Sequence, residues 1–276
     1  MVCSLFLTTG TIQSQCSDAG VCSIGHRSSQ QQVQVGMDYA FGMSSKADDL
    51  KFHSVIASVL VPVFEDSRLT LSLPYSRQRG PLGSASGIGD LTAIWTQTVF
   101  SGTDFRFNVN VGTKIALANV NSGGLPQSYQ SGLGTNDVLA GISYETGEWN
   151  FSFGYQLSQG RSDNVFSRLK RGDDLLFTVG YEMPVGEFTA AGEVLAIKRI
   201  HTSNVLVPLA AQPLPLYIDI PGSDQTQINL VGRLSYPLTE SIRTRGMIAV
   251  PMLKRDVNID GLTRSISLSI GLVHTL

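Results

Sequence analysis

The chain has 276 residues, a formal charge of −2 and a pI near 6.1, a balance that argues against nucleic acid as a partner. Only 15% of the residues are charged, 28 are glycine and 42% are hydrophobic; that hydrophobic fraction suits a soluble protein, and equally a barrel in which half of every strand faces a polar interior. No apolar run approaches the roughly 18 residues of a membrane-spanning helix.

Residues 1–15, MVCSLFLTTGTIQSQ, look like the apolar part of an export signal, with cleavage expected near Gln15 and a periplasmic segment over 16–30. Cys3, Cys16 and Cys22 all precede the first strand pattern. In an oxidising compartment Cys16 and Cys22 would close a short disulfide loop; two unpaired thiols in a leader are the alternative. A metal site wants four ligands, and only His26 lies nearby. No metal or cofactor is expected.

From residue 33 onward, apolar and polar residues alternate with the two-residue period of a strand. Val33, Val35, Met37, Tyr39, Phe41 and Met43 form one face of the first strand. Val55, Ala57, Val59, Val61 and Val63 form that of the second, and Leu69, Leu71, Leu73 and Tyr75 that of the third. A Gly- and Ser-rich loop is expected over 78–86. The fourth strand sets Leu91, Ala93, Trp95 and Val99 against Asp90, Thr92, Thr96 and Thr98. The fifth, 105–117, is the most regular: Phe105, Phe107, Val109, Val111, Thr113 and Ile115 alternate with Arg106, Asn108, Asn110, Gly112, Lys114 and Ala116. Extended at about 3.3 Å per residue and tilted, such a segment spans a hydrocarbon core of about 30 Å.

The sixth strand pairs Val138, Ala140, Ile142 and Tyr144 with Asp137, Gly141 and Ser143; the seventh carries Trp149, Phe151, Phe153, Tyr155 and Leu157 on one face. Leu175, Phe177, Val179, Tyr181 and Met183 mark the eighth. The ninth, 188–198, is less regular, with Glu193 among apolar residues. After a long loop over 201–222, the tenth strand presents Ile228, Leu230, Leu234 and Tyr236, the eleventh covers 242–252, and the chain closes on Ile266, Leu268, Ile270 and Leu272.

Short turns after even-numbered strands alternate with longer loops after odd-numbered ones, through about 12 strands. The fold class is therefore all-β, a transmembrane antiparallel up-and-down β-barrel over 31–276, with short periplasmic turns and longer extracellular loops. Phe64, Phe100, Phe105, Tyr144, Trp149, Tyr181, Phe188 and Tyr236 lie beside the short turns, as an interfacial girdle requires. A soluble sandwich or lipocalin-like barrel also alternates, but has no reason to gather aromatics there.

Gly87-Ile88-Gly89-Asp90, Gly132-Leu133-Gly134-Thr135-Asn136-Asp137 and Gly172-Asp173 each open a strand that descends from a loop. With Leu73-Pro74-Tyr75 and Val250-Pro251, they resemble the outer-membrane barrels of the MetA-pathway of phenol degradation, or putative transporter, family. That resemblance implies the outer membrane of a Gram-negative bacterium and a transporter associated with aromatic-compound degradation.

The polar faces place Arg68, Asp90, Arg106, Lys114, Asp137, Asp174, Glu182, Glu193, Arg233, Arg243 and Arg245 inside, where charges either pair across the bore or line a solute path. Arg243 and Arg245, with Arg68 and Arg106, are expected to form a basic constriction, or else internal ion pairs. Residues 205–221 are too apolar for a solvated loop. Leu206, Val207, Leu209, Leu214, Leu216, Tyr217 and Ile218 are candidates for an apolar site at the mouth, with packing against neighbouring loops or membrane as the alternative. The expected function is passive passage of small hydrophobic or aromatic molecules, with outer-membrane lipid and an unidentified solute as partners. Two rivals remain: a barrel without flux, and a lipid-modifying enzyme using His53 or His201 beside a loop serine.

Overall fold

The computed structural model describes residues 32–44, 49–207, 216–257, 259–261 and 263–276. The export signal, the 16–30 segment, all three cysteines, Leu209 and Leu214 lie outside the described residues.

The wall consists of twelve antiparallel strands: β1 (Gln34–Met43), β2 (Lys51–Pro62), β3 (Ser67–Gly80), β5 (Leu91–Ser101), β6 (Phe105–Ile115), β7 (Asp137–Thr146), β8 (Trp149–Ser158), β9 (Asp174–Val185), β10 (Phe188–Arg199), β13 (Thr226–Pro237), β14 (Ile242–Leu253) and β15 (Ile266–Thr275). Each pairs with its neighbour, and β1 pairs with β15 from Gln34↔Thr275 to Met43↔Ile266, so the sheet closes without an edge. Three further strands rise at the loop end. They are β4 (Gly83–Ile88) against the upper half of β3, and a separate hairpin of β11 (Asn204–Val207) and β12 (Leu216–Asp219).

The faces follow the period-two pattern. On β6, Val111 is 54% exposed while its neighbour Asn110 is 2% exposed. Large apolar side chains cover the outside, and the aromatics at the short-turn end touch one another across strands. Phe105 and Tyr144 lie 6.3 Å apart between ring centroids, Trp149 and Tyr181 5.0 Å, and Phe188 and Tyr236 4.9 Å. These cross-strand ring pairs form the girdle read from the sequence.

The expected loop over 78–86 is instead strand. β3 runs on to Gly80, turns at Pro81-Leu82, and returns as β4. Between Ser72↔Thr92 and Tyr75↔Ile88, two residues of β3 face three of the returning chain, a bulge at Gly89 and Asp90 that moves the inner face from odd to even positions. It turns Asp90 into the barrel.

Candidate functional site

The interior is layered from the short turns to the loop end. Nearest the short turns lie charged groups. Arg106 faces Glu145 at 3.8 Å, Arg233 pairs with Glu193, and Arg245 holds Asp38 through Nε at 2.7 Å and through Nη2. Arg68 lies within electrostatic reach of Glu145 and Arg106, and Arg243 within reach of Glu182. The four arginines of the expected basic constriction therefore sit among carboxylates. Arg245 and Asp38 are two strands apart and meet because the residue between them in register is Gly271; a Cβ there would stand 1.9 Å from Asp38 Oδ1.

The middle of the bore carries a partial apolar collar, with buried polar residues in register beside it: Gln156 faces Leu139, Asn229 faces Leu195 and Ser267 faces Ala249. Ile94, Leu139, Leu176, Leu195, Ile197, Val231, Met247 and Ala249, from six strands, all turn inward and pack together, each no more than 6% exposed and Leu139 wholly buried. Ile94 and Leu139 flank Gly112 in register. A Cβ on that glycine would fall 2.9 Å from Ile94 and 2.5 Å from the Ala93 carbonyl, so the bare backbone lets the collar continue across β6.

Above the collar lies a buried ionic belt. Arg171 Nη2 donates to Asp137 Oδ2 at 3.0 Å, Arg199 grips Asp174 at 3.0 and 3.2 Å, and Arg199 Nη2 donates to Asp260 Oδ2 at 2.8 Å. Arg171 and Arg255 each approach Asp174 to 3.8 Å. Three arginines thus meet three aspartates in a region screened from water. Asp260 sits on the loop between β14 and β15. Burial alone would raise its carboxyl, but Arg199, Arg255 and Arg171 outweigh that and hold it at about 2.

Asp90 plays a different part from the other charges. Its Oδ1 accepts from the backbone N–H groups of Leu117 and Ala118 at 3.2 Å, and its Oδ2 from Leu133 at 2.8 Å and Gly134 at 3.0 Å, with Lys114 Nζ 3.8 Å away. The two Gly-rich motifs, far apart in sequence, are thus joined at one carboxylate that anchors both ends of loop 116–136. That loop folds inward: Tyr129 packs on Leu50 and Phe52, and its hydroxyl accepts from Leu82 N–H at 3.1 Å. In the third motif, Asp173 accepts from the Tyr155 hydroxyl at 2.7 Å and the Ser158 N–H at 2.9 Å.

The apolar segment after β10 forms the β11–β12 hairpin, tied to loop 159–173. Arg161 stacks over Tyr217 at 3.8 Å and donates to Asn204 Oδ1 at 2.8 Å, and Leu206 N–H donates to the Ser167 carbonyl at 2.7 Å. Leu206, Val207 and Tyr217 are half-buried, whereas Leu216 and Ile218 remain exposed. Among the described residues, side chains buried over the mouth come from 116–136, from 159–173, where Asn164 donates to the Val120 carbonyl at 2.6 Å, and from 254–264, where Gly261 approaches Ser128. A cleft of about 450 Å³ lies beside the hairpin, lined among others by Arg161, Lys170, His201 and Tyr217.

Sequence comparison finds no matching family model and no matching characterised protein. In structure, the chain is similar to an outer-membrane channel from Pseudomonas putida F1, with a TM-score of 0.63 and 13% identity over 90% of this chain and 97% of that one. It is also similar to the NanC porin, with a TM-score of 0.51 and 12% identity over 88% and 100%. The CymD monoaromatic hydrocarbon channel aligns with a TM-score of 0.49 and 12% identity over 90% and 89%. This chain has the fold of an outer-membrane β-barrel. The short-turn end is then periplasmic and the loop end extracellular, and the resemblance carried by the Gly-Asp motifs holds at the level of fold.

His53 lies on the outer wall, bonded through Nδ1 to the Tyr39 hydroxyl at 2.7 Å, while His201 is exposed with Nδ1 3.5 Å from Asp173. Among the described residues, neither is hydrogen-bonded to a serine.

Proposed function

We propose that the protein is a passive outer-membrane channel for small hydrophobic or aromatic molecules. The observation that supports this is the apolar collar, placed between charged layers where a water-filled pore would keep polar side chains. An ion or sugar passing the collar loses hydration on the apolar side, where no side chain replaces it, at a cost of about 1–3 kcal/mol for each polar group left unpaired. An apolar solute loses nothing comparable, and needs only side-chain rotations to pass.

Whole cells with an intact lipopolysaccharide layer are the proper test, because that layer slows apolar solutes that leak through simple phospholipid vesicles. Cells expressing the protein should take up benzyl alcohol or toluene faster than cells carrying the empty vector, with sugar uptake unchanged. The refolded protein in planar bilayers should show little ionic conductance. Faster sugar uptake without faster aromatic uptake would refute the reading.

A further inference from the structure

We infer that the extracellular belt is a binding site for the carboxylate of a small apolar organic acid, and that Asp260 occupies it as a tethered competitor. This rests on the channel reading above and names a ligand class for its extracellular side.

The argument starts from unused hydrogen-bonding capacity. Arg255 is 6% exposed, yet its Nε and Nη1 have no hydrogen-bond partner among the described residues, and neither does Nη1 of the buried Arg171. Both guanidiniums approach the same carboxylate, Asp174, at 3.8 Å from opposite oxygens, Arg171 through its spare Nη1 and Arg255 through Nη2, so the two groups that carry spare donors gather at one belt. Leaving charged donors unmade in a buried site is costly, and a group that persists so is waiting for an acceptor. The third guanidinium, Arg199, is shared between Asp174 on the wall and Asp260 on the loop.

These two aspartates are not equivalent. Asp174 is fixed on β9, whereas Asp260 lies outside the wall, on the 12-residue connection between β14 and β15. A diffusing carboxylate that takes its place gains Arg199 and the idle donors of Arg255 and Arg171 together. The neighbouring inward residues define the rest of the ligand: Leu176 follows Asp174 on the inner face of β9, and Ile197 precedes Arg199 on β10. A carboxylate held by the arginines therefore has its body against the collar, which selects an apolar acid over a hydrophilic one.

The test compares benzoate with its neutral isostere benzamide, measured by calorimetry on the refolded full chain in detergent. Removing the tethered competitor with Asp260→Asn should tighten benzoate binding at least tenfold and leave benzamide unchanged. Adding Arg255→Gln should abolish the gain. Should Asp260→Asn fail to fold, the unaltered protein supplies a second readout: benzoate, but not benzamide, should accelerate trypsin cleavage at Lys254 and Arg255. Equal affinities for the two probes in Asp260→Asn, or no benzoate-specific cleavage, would overturn the site. Benzoate binding without aromatic uptake in cells would leave the site standing and refute the channel; aromatic uptake without benzoate preference would do the reverse.

Discussion

Leu139 tests whether the collar is a packed barrier. Its side chain is wholly buried against inward residues of neighbouring strands. Leu139→Ala removes about three methylene-sized groups at about 0.8 kcal/mol each and leaves a cavity, so the expected loss of stability is about 2–5 kcal/mol. Chemical denaturation of the refolded barrel, followed by the fluorescence of Trp95 and Trp149, measures that loss. Leu139→Asn keeps the branched shape but supplies an amide that can hold water, and should raise ionic conductance in a planar bilayer where the alanine variant changes it less. A collar that merely lines an open, hydrated bore predicts otherwise: loss below about 0.5 kcal/mol for alanine and equal conductance for all three proteins. That result would refute both the barrier and the transport reading.

Gly271→Ala places a methyl group 1.9 Å from Asp38 Oδ1, and should cost about 2–4 kcal/mol by displacing the Arg245 pair; its effect should be non-additive with Asp38→Ala in denaturant titrations. Asp90→Asn replaces an oxygen that accepts from Leu133 and Gly134 with a donor, or turns the same mismatch on Leu117 and Ala118. It should destabilise by about 3 kcal/mol or more and expose loop 116–136 to limited proteolysis, while unchanged cleavage would show that another contact anchors the loop. The Asp260 carboxyl is depressed in the folded protein, so its contribution is fully present above its unfolded value of 3.8 and is lost as pH falls through about 2. It faces Arg199, Arg255 and Arg171, with Asp174 and Asp137 in the same cluster. Proteolytic access to 254–264 should therefore rise between about pH 4 and pH 2 and stay flat from 5 to 8, read with an acid-active protease; the same rise in Asp260→Asn would assign it elsewhere.

The alternation that defines β6 also defines its partners, because a wall with oil on one side and polar groups on the other must repeat every second residue. The collar broke that rule at places visible in hindsight. Val138-Leu139-Ala140, Leu175-Leu176-Phe177 and Leu230-Val231 are adjacent apolar residues in strands that otherwise alternate, and the second of each turns inward. Reading only the lipid-facing set passes over them. The β3–β4 extension was hidden differently: Gly83, Ser84, Ser86 and Gly87 have little strand propensity, and it is the pairing with β3 that makes them a strand. The belt was legible only in half. Asp137 and Asp174 stand on strand faces, but Arg171, Arg255 and Asp260 come from loops, where no period places a side chain. Asp90 was read as an inward charge to be paired with a base, and it is chiefly a backbone anchor.

The collar and the belt should depend on each other. Leu139 faces Gln156 in register and follows Asp137 on the inner face of β7; Asp137 holds Arg171, Arg171 approaches Asp174, and Asp174 shares Arg199 with Asp260. Charge pairs of this kind are strong only where water is scarce, since the same separation is worth several-fold less as the effective dielectric rises. Water admitted by Leu139→Asn should therefore weaken the hold on Asp260, and Asp260→Asn should cost less stability in that background than in the unaltered protein. A double-mutant cycle reads this directly, with an expected coupling above about 0.5 kcal/mol, the level at which independent sites usually stop. Strict additivity would mean that the collar does not keep the belt dry, and that the two layers close the barrel separately.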